Sequence, residues 1–414
     1  MNATRSLHIH DVVPSFPLES VEGIEAYNWR ALLLKGDKVV GEHPCLYDYL
    51  TWLKEIGIGN NGDVFPVPSN ALYECIQDDP NLQRQLRQWI GARGLHVRLF
   101  ARGLADQLFL EHVGLLSQAE GFNPHLDLAD QANDKAFLRK VLDEHFDPRW
   151  APFNLIVNRQ SEIMSAIKKI AKHDCDFIVV KAPHLASGEG MDFFPLEQQM
   201  SAAHFAAKLW AKGNRTIIIE AGYRHDSFST QWEIRPSELR FIGFSQQIIS
   251  QGRIYQGSII SSDSLLNLSL AEATLAQERC HDLALWYQSR GYVGTFGIDF
   301  IVVRRPGQKH DGELFLLEIN GRVTGATYPF SVGRQLADQG IFEHAIATSS
   351  CHPKRVEDWR TLVKKLGSKI FNGRYGVIPF LPNLLPSKIA LMAVDSDVRA
   401  ANFRLEEAQE LLGN

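Results

Sequence analysis

Two carboxylates lie at matching ends of two apolar runs of the chain. The segment Gly294–Pro329 reads GTFGIDFIVVRRPGQKHDGELFLLEINGRVTGATYP, with a polar, glycine-containing stretch between the runs. This pattern is typical of a β-hairpin with a long loop. If Val303 pairs with Leu314, antiparallel counting places Asp299 opposite Glu318. The sequence therefore predicts a carboxylate pair at one end of a hairpin.

The residues after this pair extend the polar cluster. Side chains alternate along a strand, so Glu318, Asn320 and Arg322 are expected on one face. Facing carboxylates in a sheet are costly unless a cation neutralises them, and ligands with only oxygen atoms favour Mg²⁺ or Mn²⁺. The positive charge of Arg322 suits a phosphate or an acyl-phosphate. The alternative is a polar strand edge with a solvated arginine, but both flanking strands are apolar.

The string GIDFIVV…LFLLEINGRVTG resembles the metal-binding end of the ATP-grasp ligases. In that family an acid on one strand and Glu-x-Asn on the next hold two Mg²⁺ ions that bridge the ATP phosphates. In many members an arginine two residues later stabilises the acyl-phosphate. The resemblance implies that Asp299, Glu318 and Asn320 are metal ligands and that Arg322 is a catalytic stabiliser.

The same resemblance implies phosphate-binding residues upstream. Lys181 ends the apolar run FIVVK, ahead of the loop SGEG, whose backbone N–H groups could close over phosphates. Lys135 opens a helix in NDKAFLR. The implied contacts of the ATP phosphates are Lys135, Lys181, Ser187, Gly188 and Gly190, and Lys181 is also expected to be catalytic.

A nucleotide hinge is implied by Thr216–Gly222, which reads TIIIEAG. On the resemblance, Glu220 and the backbone of Ala221 contact the nucleotide, and Asp226 is the candidate for a second acid that binds the ribose. Each of these features is common by itself. Their order and spacing support the resemblance, which covers Asp127–Phe330.

Two further segments concern the substrates. Arg253–Gly257 (RIYQG) resembles a segment of pheganomycin-type peptide ligases and related L-amino-acid ligases. The stretch VTGATY follows the predicted metal ligands and is expected to border the carboxylate substrate; the alternative is an ordinary turn into a helix. Arg224 and Arg235 could hold a substrate carboxylate or could be solvated. The candidate substrate residues are Arg235, Thr324, Gly325 and Thr327.

The apolar periodicity predicts an α/β (α+β) protein, and the resemblance implies the ATP-grasp fold. We expect an N-terminal α/β domain over residues 1–120, an ATP-grasp domain over 121–350 with lobes at 121–215 and 216–350, and an α/β appendage over 351–414. Predicted helices are Leu46–Ile56, Asp134–Phe146, Ser161–Lys172, Ser201–Lys212, Leu268–Arg290, Gly340–Thr348 and Val398–Leu412. Predicted strands include Ala31–Leu34, Lys38–Val40, His96–Phe100, Phe177–Lys181 and Thr216–Glu220.

Composition excludes several classes of protein. Of 414 residues 45% are hydrophobic and 22% charged, typical of a globular chain and not of a disordered one. The net charge of −5 disfavours a nucleic-acid partner. No apolar run approaches the roughly 18 residues of a membrane helix, and Met1–Val13 lacks the apolar stretch of a signal peptide. The five scattered cysteines suggest reduced thiols, so we expect a cytoplasmic protein.

These features favour an ATP-dependent ligase that activates a carboxylate, such as an amino acid or peptide, and joins it to an amine. A second hypothesis is an ATP-grasp enzyme with a thiol, hydroxyl or bicarbonate partner. A third is a nucleotide-binding protein without turnover. The complete set of Asp299, Glu318, Asn320 and Arg322 favours catalysis. The sequence does not specify the two substrates or the oligomeric state.

Overall fold

The structure is a computed structural model that describes residues 5–15, 23–59, 62–119, 127–184, 190–250, 254–305 and 312–413. The strands in these ranges form three sheets, of four, four and eight strands.

The first sheet is parallel, as expected where helices connect successive strands. Its order is β3-β2-β1-β4. Its strands and accompanying helices are β1 (Ser6–Ile9), β2 (Asp37–Gly41), α1 (Leu46–Glu55), β3 (Val64–Val67), α2 (Leu72–Asp78), α3 (Pro80–Arg93), β4 (His96–Leu99) and α4 (Leu104–His112). The strand predicted at Ala31–Leu34 is wrong, because this stretch ends a 3-10 helix, Ile24–Leu33. That helix is buried on most sides, so its apolar run carries no helical periodicity.

The second sheet is antiparallel, in the order β5-β8-β6-β7. Its elements are α5 (Asp127–Ala132), α6 (Lys135–His145), β5 (Asn154–Val157), α7 (Ile163–Ile170), β6 (Phe177–Lys181), β7 (Met191–Pro195), α8 (Gln199–Ala211) and β8 (Ile217–Gly222). The strand predicted at Phe177–Lys181 is confirmed. The helices α7 and α8 pack together and cover the apolar face of this sheet.

The third sheet is also antiparallel, in the order β13-β12-β9-β10-β11-β14-β16-β15. Its elements are β9 (Asp226–Arg235), β10 (Glu238–Ser250), β11 (Ile254–Ser261), α9 (Leu270–Ser289), β12 (Gly294–Val303), β13 (Glu313–Asn320), α10 (Thr327–Asp338), β14 (Ala345–Cys351), α11 (Trp359–Leu366), β15 (Gly376–Phe380), β16 (Ile389–Asp395) and α12 (Val398–Leu412). The helix predicted at Gly340–Thr348 is wrong, because β14 pairs with β11 on one side and β16 on the other. A short apolar run does not distinguish a buried strand from a buried helix.

One apolar core connects the two ends of the chain. The 3-10 helix Ile24–Leu33 shares a cluster of buried side chains with α10, α12 and the strands β14 to β16. A second cluster packs α9 against β9, β12 and β13. The last strands therefore continue the third sheet, while the division into three domains stays a prediction.

Helix α6 begins where the sequence predicts, and its start positions Lys135. The Asp134 carboxylate accepts hydrogen bonds from the backbone N–H groups of Ala136 and Phe137 at 2.7 and 3.3 Å. This is an N-cap arrangement, for which aspartate is one of the preferred residues.

We predict that Asp134→Ala lowers the free energy of unfolding by about 1 kcal/mol, because two backbone N–H groups lose their acceptor. Asp134→Asn should keep most of the stability, since asparagine is also a good N-cap. Urea denaturation provides the measurement. The matched control is Asp143→Ala on the exposed side of the same helix; equal losses in the two alanine variants would contradict the capping role.

Candidate functional site

The carboxylate pair lies opposite across β12 and β13, as predicted. Asp299 pairs with Glu318, but Val303 lies opposite Glu313 and not Leu314. The register shifts by one residue between Asp299 and Phe300, a β-bulge that the sequence does not reveal. The predicted register is therefore correct from Gly297 to Asp299, where the two acids lie opposite each other, and wrong by one residue from Phe300 to Val303.

Hydrogen bonds and an ion pair join the acids to their neighbours. The Lys135 ammonium lies 2.7 Å from Glu318 Oε2. The Asn320 amide donates to Asp299 Oδ2 at 3.1 Å, and the Arg322 guanidinium donates to Asn320 Oδ1. The three predicted metal ligands, Arg322 and Lys135 therefore form one polar cluster.

The pKa values of the two carboxylates are shifted in opposite directions. Burial raises the pKa of Asp299, and the nearby Glu318 charge raises it further. Burial opposes ionisation of Glu318 too, but the Lys135 ammonium and the Arg322 guanidinium outweigh it and hold the pKa of Glu318 below its usual range. A cation between the two groups would lower the cost of ionising Asp299. The donor set thus fits a hard divalent cation.

A second buried ionic cluster lies on the neighbouring sheet. The Lys181 ammonium donates to Glu220 Oε1 at 2.9 Å, and Arg139 donates to Glu220 Oε2 at 2.7 Å. Arg139 also donates to the carbonyls of Leu316 and Leu317, on β13. Arg139 thereby ties the second sheet to the strand that carries Glu318.

The pKa values of Lys181 and Glu220 are both lowered in this cluster. Burial lowers the pKa of Lys181 to about 8, against the attraction of Glu220. Burial alone would raise the pKa of Glu220, but the charges of Lys181 and Arg139 lower it. Glu220 therefore stays ionised and acts as an anchor for Lys181 within the protein.

A cavity of about 750 Å³ lies between the second and third sheets and connects these clusters. Apolar side chains of β6, β7, β12 and β13 line one part of it. The predicted site residues on its wall are Lys135, Lys181, Glu220, Ala221, Asp299, Glu318, Asn320, Arg322, Thr324 and Gly325. Most of the side chains that the sequence selects are therefore gathered around one cavity.

The predicted loop is described only at its end. Gly190 has a φ of +61° and accepts a hydrogen bond from the Ala182 amide at 2.9 Å, directly before β7. Ser187 and Gly188 lie outside the described residues. The Ala221 amide donates to the Phe153 carbonyl at 2.8 Å, so this N–H group already has a partner within the protein.

Two predicted residues lie away from the cavity wall. Arg235 is at the turn between β9 and β10 and pairs with Glu233 and Glu238 at 3.0 and 3.2 Å. Asp226 starts β9 and lies 2.5 Å from Arg304. The extended β9 strand carries Arg235 roughly 30 Å from the start of the strand, which the one-dimensional sequence does not reveal.

The segment after the metal-site residues turns into α10. Thr324 Oγ1 donates to Gln231 Oε1 at 2.8 Å, and the Thr324 amide donates to Thr327 Oγ1 at 3.0 Å. A Cβ atom at Gly325 would lie 2.6 Å from Tyr255 Oη. The segment therefore turns into a helix and also borders the cavity, and its contact with a carboxylate substrate stays a prediction. Thr327 lies behind the wall, at the first turn of that helix.

Sequence reasoning missed several polar residues of the site. Arg139 could have been found, because it lies four residues after Lys135 and so shares a face of α6. Ser229, Gln231 and Gln247 come from β9 and β10, and Ser229 and Gln247 hydrogen-bond to Asp299. Their position depends on strand pairing across the third sheet, for which the sequence contains no local indication.

Comparisons with known proteins identify the fold. No protein-family model and no curated protein match this sequence. The Campylobacter jejuni biotin carboxylase in complex with β,γ-ATP is 15% identical, with a TM-score of 0.57 over 99% of this chain and 92% of that chain.

Two further solved structures agree. The N5-carboxyaminoimidazole synthase of Aspergillus clavatus, in complex with ADP and 5-aminoimidazole ribonucleotide, is 10% identical, with a TM-score of 0.56 over 99% of this chain and 98% of that chain. The biotin carboxylase domain of Hydrogenobacter thermophilus 2-oxoglutarate carboxylase, with MgADP and bicarbonate, is 14% identical, with a TM-score of 0.54 over 99% and 90%. The predicted ATP-grasp fold is confirmed.

None of the helices in the described ranges combines the length and the apolar composition that crossing a bilayer requires.

We predict that Glu220→Gln lowers the free energy of unfolding by about 3 kcal/mol, because it leaves Lys181 and Arg139 buried without their counter-charge. Urea denaturation at pH 7 measures the effect. Glu238→Gln is the control, because the Glu238 side chain is 52% exposed and its ion pair with Arg235 lies at the surface. Comparable stability of the two variants would refute the anchoring role of Glu220.

Proposed function

We propose that this protein is an ATP-dependent ligase that activates a carboxylate as an acyl-phosphate and joins it to an amine, releasing ADP and phosphate. The observation that carries the proposal is the directly opposed, partly buried pair Asp299 and Glu318, with Lys135 2.7 Å from Glu318, on the wall of a large cavity. Paired acids beside cations are an arrangement suited to metal-bound phosphates.

The nucleotide part of the cavity is the space between the second and third sheets. Apolar side chains there offer surfaces for a base, among them Val179 of β6, Ile301 of β12 and Leu317 of β13. Lys135 and Lys181 supply positive charge at the polar end. An apolar slot that ends in two ammonium groups suits a base at one end and phosphates at the other, and one solved structure of the same fold is a complex with β,γ-ATP.

Asp299, Glu318 and Asn320 would hold Mg²⁺ or Mn²⁺. The described residues contain no group of three or more His, Cys, Asp or Glu side chains that could hold a metal. Two carboxylates and an amide leave open coordination positions, which phosphate oxygens and water complete in sites of this kind. When bound, the metal neutralises the charge of the transferring phosphate.

The remaining residues position the reactants. A carboxylate oxygen of the substrate bonds to the γ-phosphorus of ATP while the bond from that phosphorus to the bridging oxygen breaks, which releases ADP. The amine nitrogen then bonds to the acyl carbon, inorganic phosphate leaves, and the nitrogen loses a proton. Arg322 and Lys181 stabilise the negative charge in both steps, and positioning provides most of the rate.

The proposal includes two more specific points, that the acceptor is an amine and that the enzyme is of the peptide-ligase type. They are supported by the sequence resemblance at Arg253–Gly257, of which Ile254–Gly257 lies on β11 and Gln256 and Gly257 line the cavity. An amino acid or short peptide is the class of substrate that this resemblance favours.

We predict that Glu318→Ala abolishes ATP-dependent phosphate release, because the metal loses one of its two carboxylates. Phosphate release with Mg²⁺ and mixtures of amino acids is the assay. Glu343→Ala, on an exposed residue, is the matched control and should retain the wild-type rate. A near-wild-type rate in Glu318→Ala would rule out the metal assignment.

A test of the acceptor separates the three hypotheses. With ATP, Mg²⁺ and amino-acid mixtures, mass spectrometry should detect a product equal to two substrates less one water. Hydroxamate formed from hydroxylamine, with no amide from amines, would favour an acceptor other than an amine. ATP binding without any phosphate release would favour the non-catalytic hypothesis.

A further inference from the structure

The cavity has a second part that the proposed nucleotide and metal residues do not occupy. It lies where the 3-10 helix Ile24–Leu33 meets the residues just before β16. Tyr27 and Arg30 of that helix line it, together with Lys388 and the β11 residue Tyr255. Three segments far apart in the sequence therefore form one wall.

None of the described residues that line this part of the cavity is acidic. The acidic residues that line the cavity are Glu220, Asp299 and Glu318, all in the clusters described above. Within the described ranges, neither Arg30 nor Lys388 forms an ion pair, and Arg30 Nε is buried without a hydrogen-bond partner. Two adjacent cations in a partly enclosed space repel each other, so an anion between them would be bound favourably.

Contacts with aromatic rings hold the two cations in place. The Arg30 guanidinium carbon lies 4.2 Å from the centroid of the Tyr27 ring, and Lys388 Nζ donates to Tyr27 Oη at 2.9 Å. The 3-10 helix that carries Tyr27 and Arg30 is also joined to the segment before Lys388, since Asn383 Nδ2 donates to the Ala26 carbonyl at 3.0 Å. Groups held in this way need little reordering when a ligand binds.

The basic part connects to the reaction centre through Tyr255. The residue is 36% exposed, and a Cβ atom at Gly325, three residues after Arg322, would lie 2.6 Å from Tyr255 Oη. Burial of the hydroxyl raises the pKa of Tyr255, and the charges of Arg30 and Asp299 act on it in opposite directions. Tyr255 is therefore close to both the basic part and the metal cluster.

We infer that the carboxylate substrate carries a second anionic group, a carboxylate or a phosphate, and that Arg30 and Lys388 bind it. This inference rests on the proposed function. One end of the substrate lies at Arg322, where its carboxylate is activated, and the other end lies between Arg30 and Lys388, with Tyr255 beside the middle. Selection for such a substrate, termed the dianion after its two anionic groups, follows from the geometry, because a neutral group would leave both cations without a counter-charge.

The test compares matched substrates that differ in the second group. The pairs are glutamate and glutamine, aspartate and asparagine, and O-phosphoserine and serine, each assayed with ATP, Mg²⁺ and an amine mixture. We expect kcat/KM to favour the dianionic member of at least one pair by about tenfold or more. The first two pairs report on a carboxylate and the third on a phosphate. Equal kcat/KM within every pair would overturn the inference.

Variants then assign the preference to the two cations. Arg30→Gln and Lys388→Met should each raise KM for the dianion about tenfold and leave the kinetics of the uncharged partner unchanged. Arg30→Lys should retain part of the preference. The control, Arg360→Gln, alters an arginine side chain that is 82% exposed, and thermal unfolding shows that the variants are folded. An unchanged preference in Arg30→Gln and Lys388→Met would overturn the inference.

Binding without turnover separates this inference from the proposed function. Isothermal titration of the wild type with the six compounds, in the absence of ATP, should show tighter binding of a dianion that Arg30→Gln weakens. If that binding is present but no compound supports phosphate release, the proposed function fails and the anion site stands. If turnover occurs without any preference for a dianion, only the inference fails.

Discussion

The site depends on two carboxylates that are held opposite each other in a partly buried position. Asp299 and Glu318 lie opposite each other on neighbouring strands, where burial alone would favour their neutral forms. Lys135 and Arg322 compensate for Glu318, and Asp299 retains a raised pKa. Because a further positive charge would favour the ionised form of Asp299, the pair is a candidate site for a divalent cation. The neighbouring elements hold Lys135 and Arg322 in position.

The second ionic cluster provides a counter-charge for a buried lysine. Lys181 is buried, and an isolated ammonium there would lose its proton readily. Glu220 pairs with Lys181 and also with Arg139, and Arg139 in turn binds two carbonyls of the strand that carries Glu318. The two clusters are therefore mechanically connected, so that the spacing between Lys181 and the carboxylate pair is set by hydrogen bonds as well as by the sheets.

The ends of the chain contribute to the cavity because they share one core. The 3-10 helix Ile24–Leu33 packs with α12 and the last strands, and this contact brings Arg30 and Lys388 into the same space. The first and last parts of the chain thus supply residues to a cavity whose proposed nucleotide part is built by the middle. The proposed substrate site, assembled from both ends, can differ between proteins of one fold without any change in the proposed nucleotide part.

The sequence by itself determined the carboxylate hairpin, the strand that ends in Lys181 and the capped helix that opens at Lys135, because these features depend on local alternation, apolar runs and capping. Only the tertiary structure decided the bulge after Asp299, the position of Arg235 far from the cavity, and the approach of Arg30 to Lys388. Register and proximity across a sheet depend on which strands pair and on how two distant segments share a core. Those are long-range contacts, and no local pattern in one sequence encodes them.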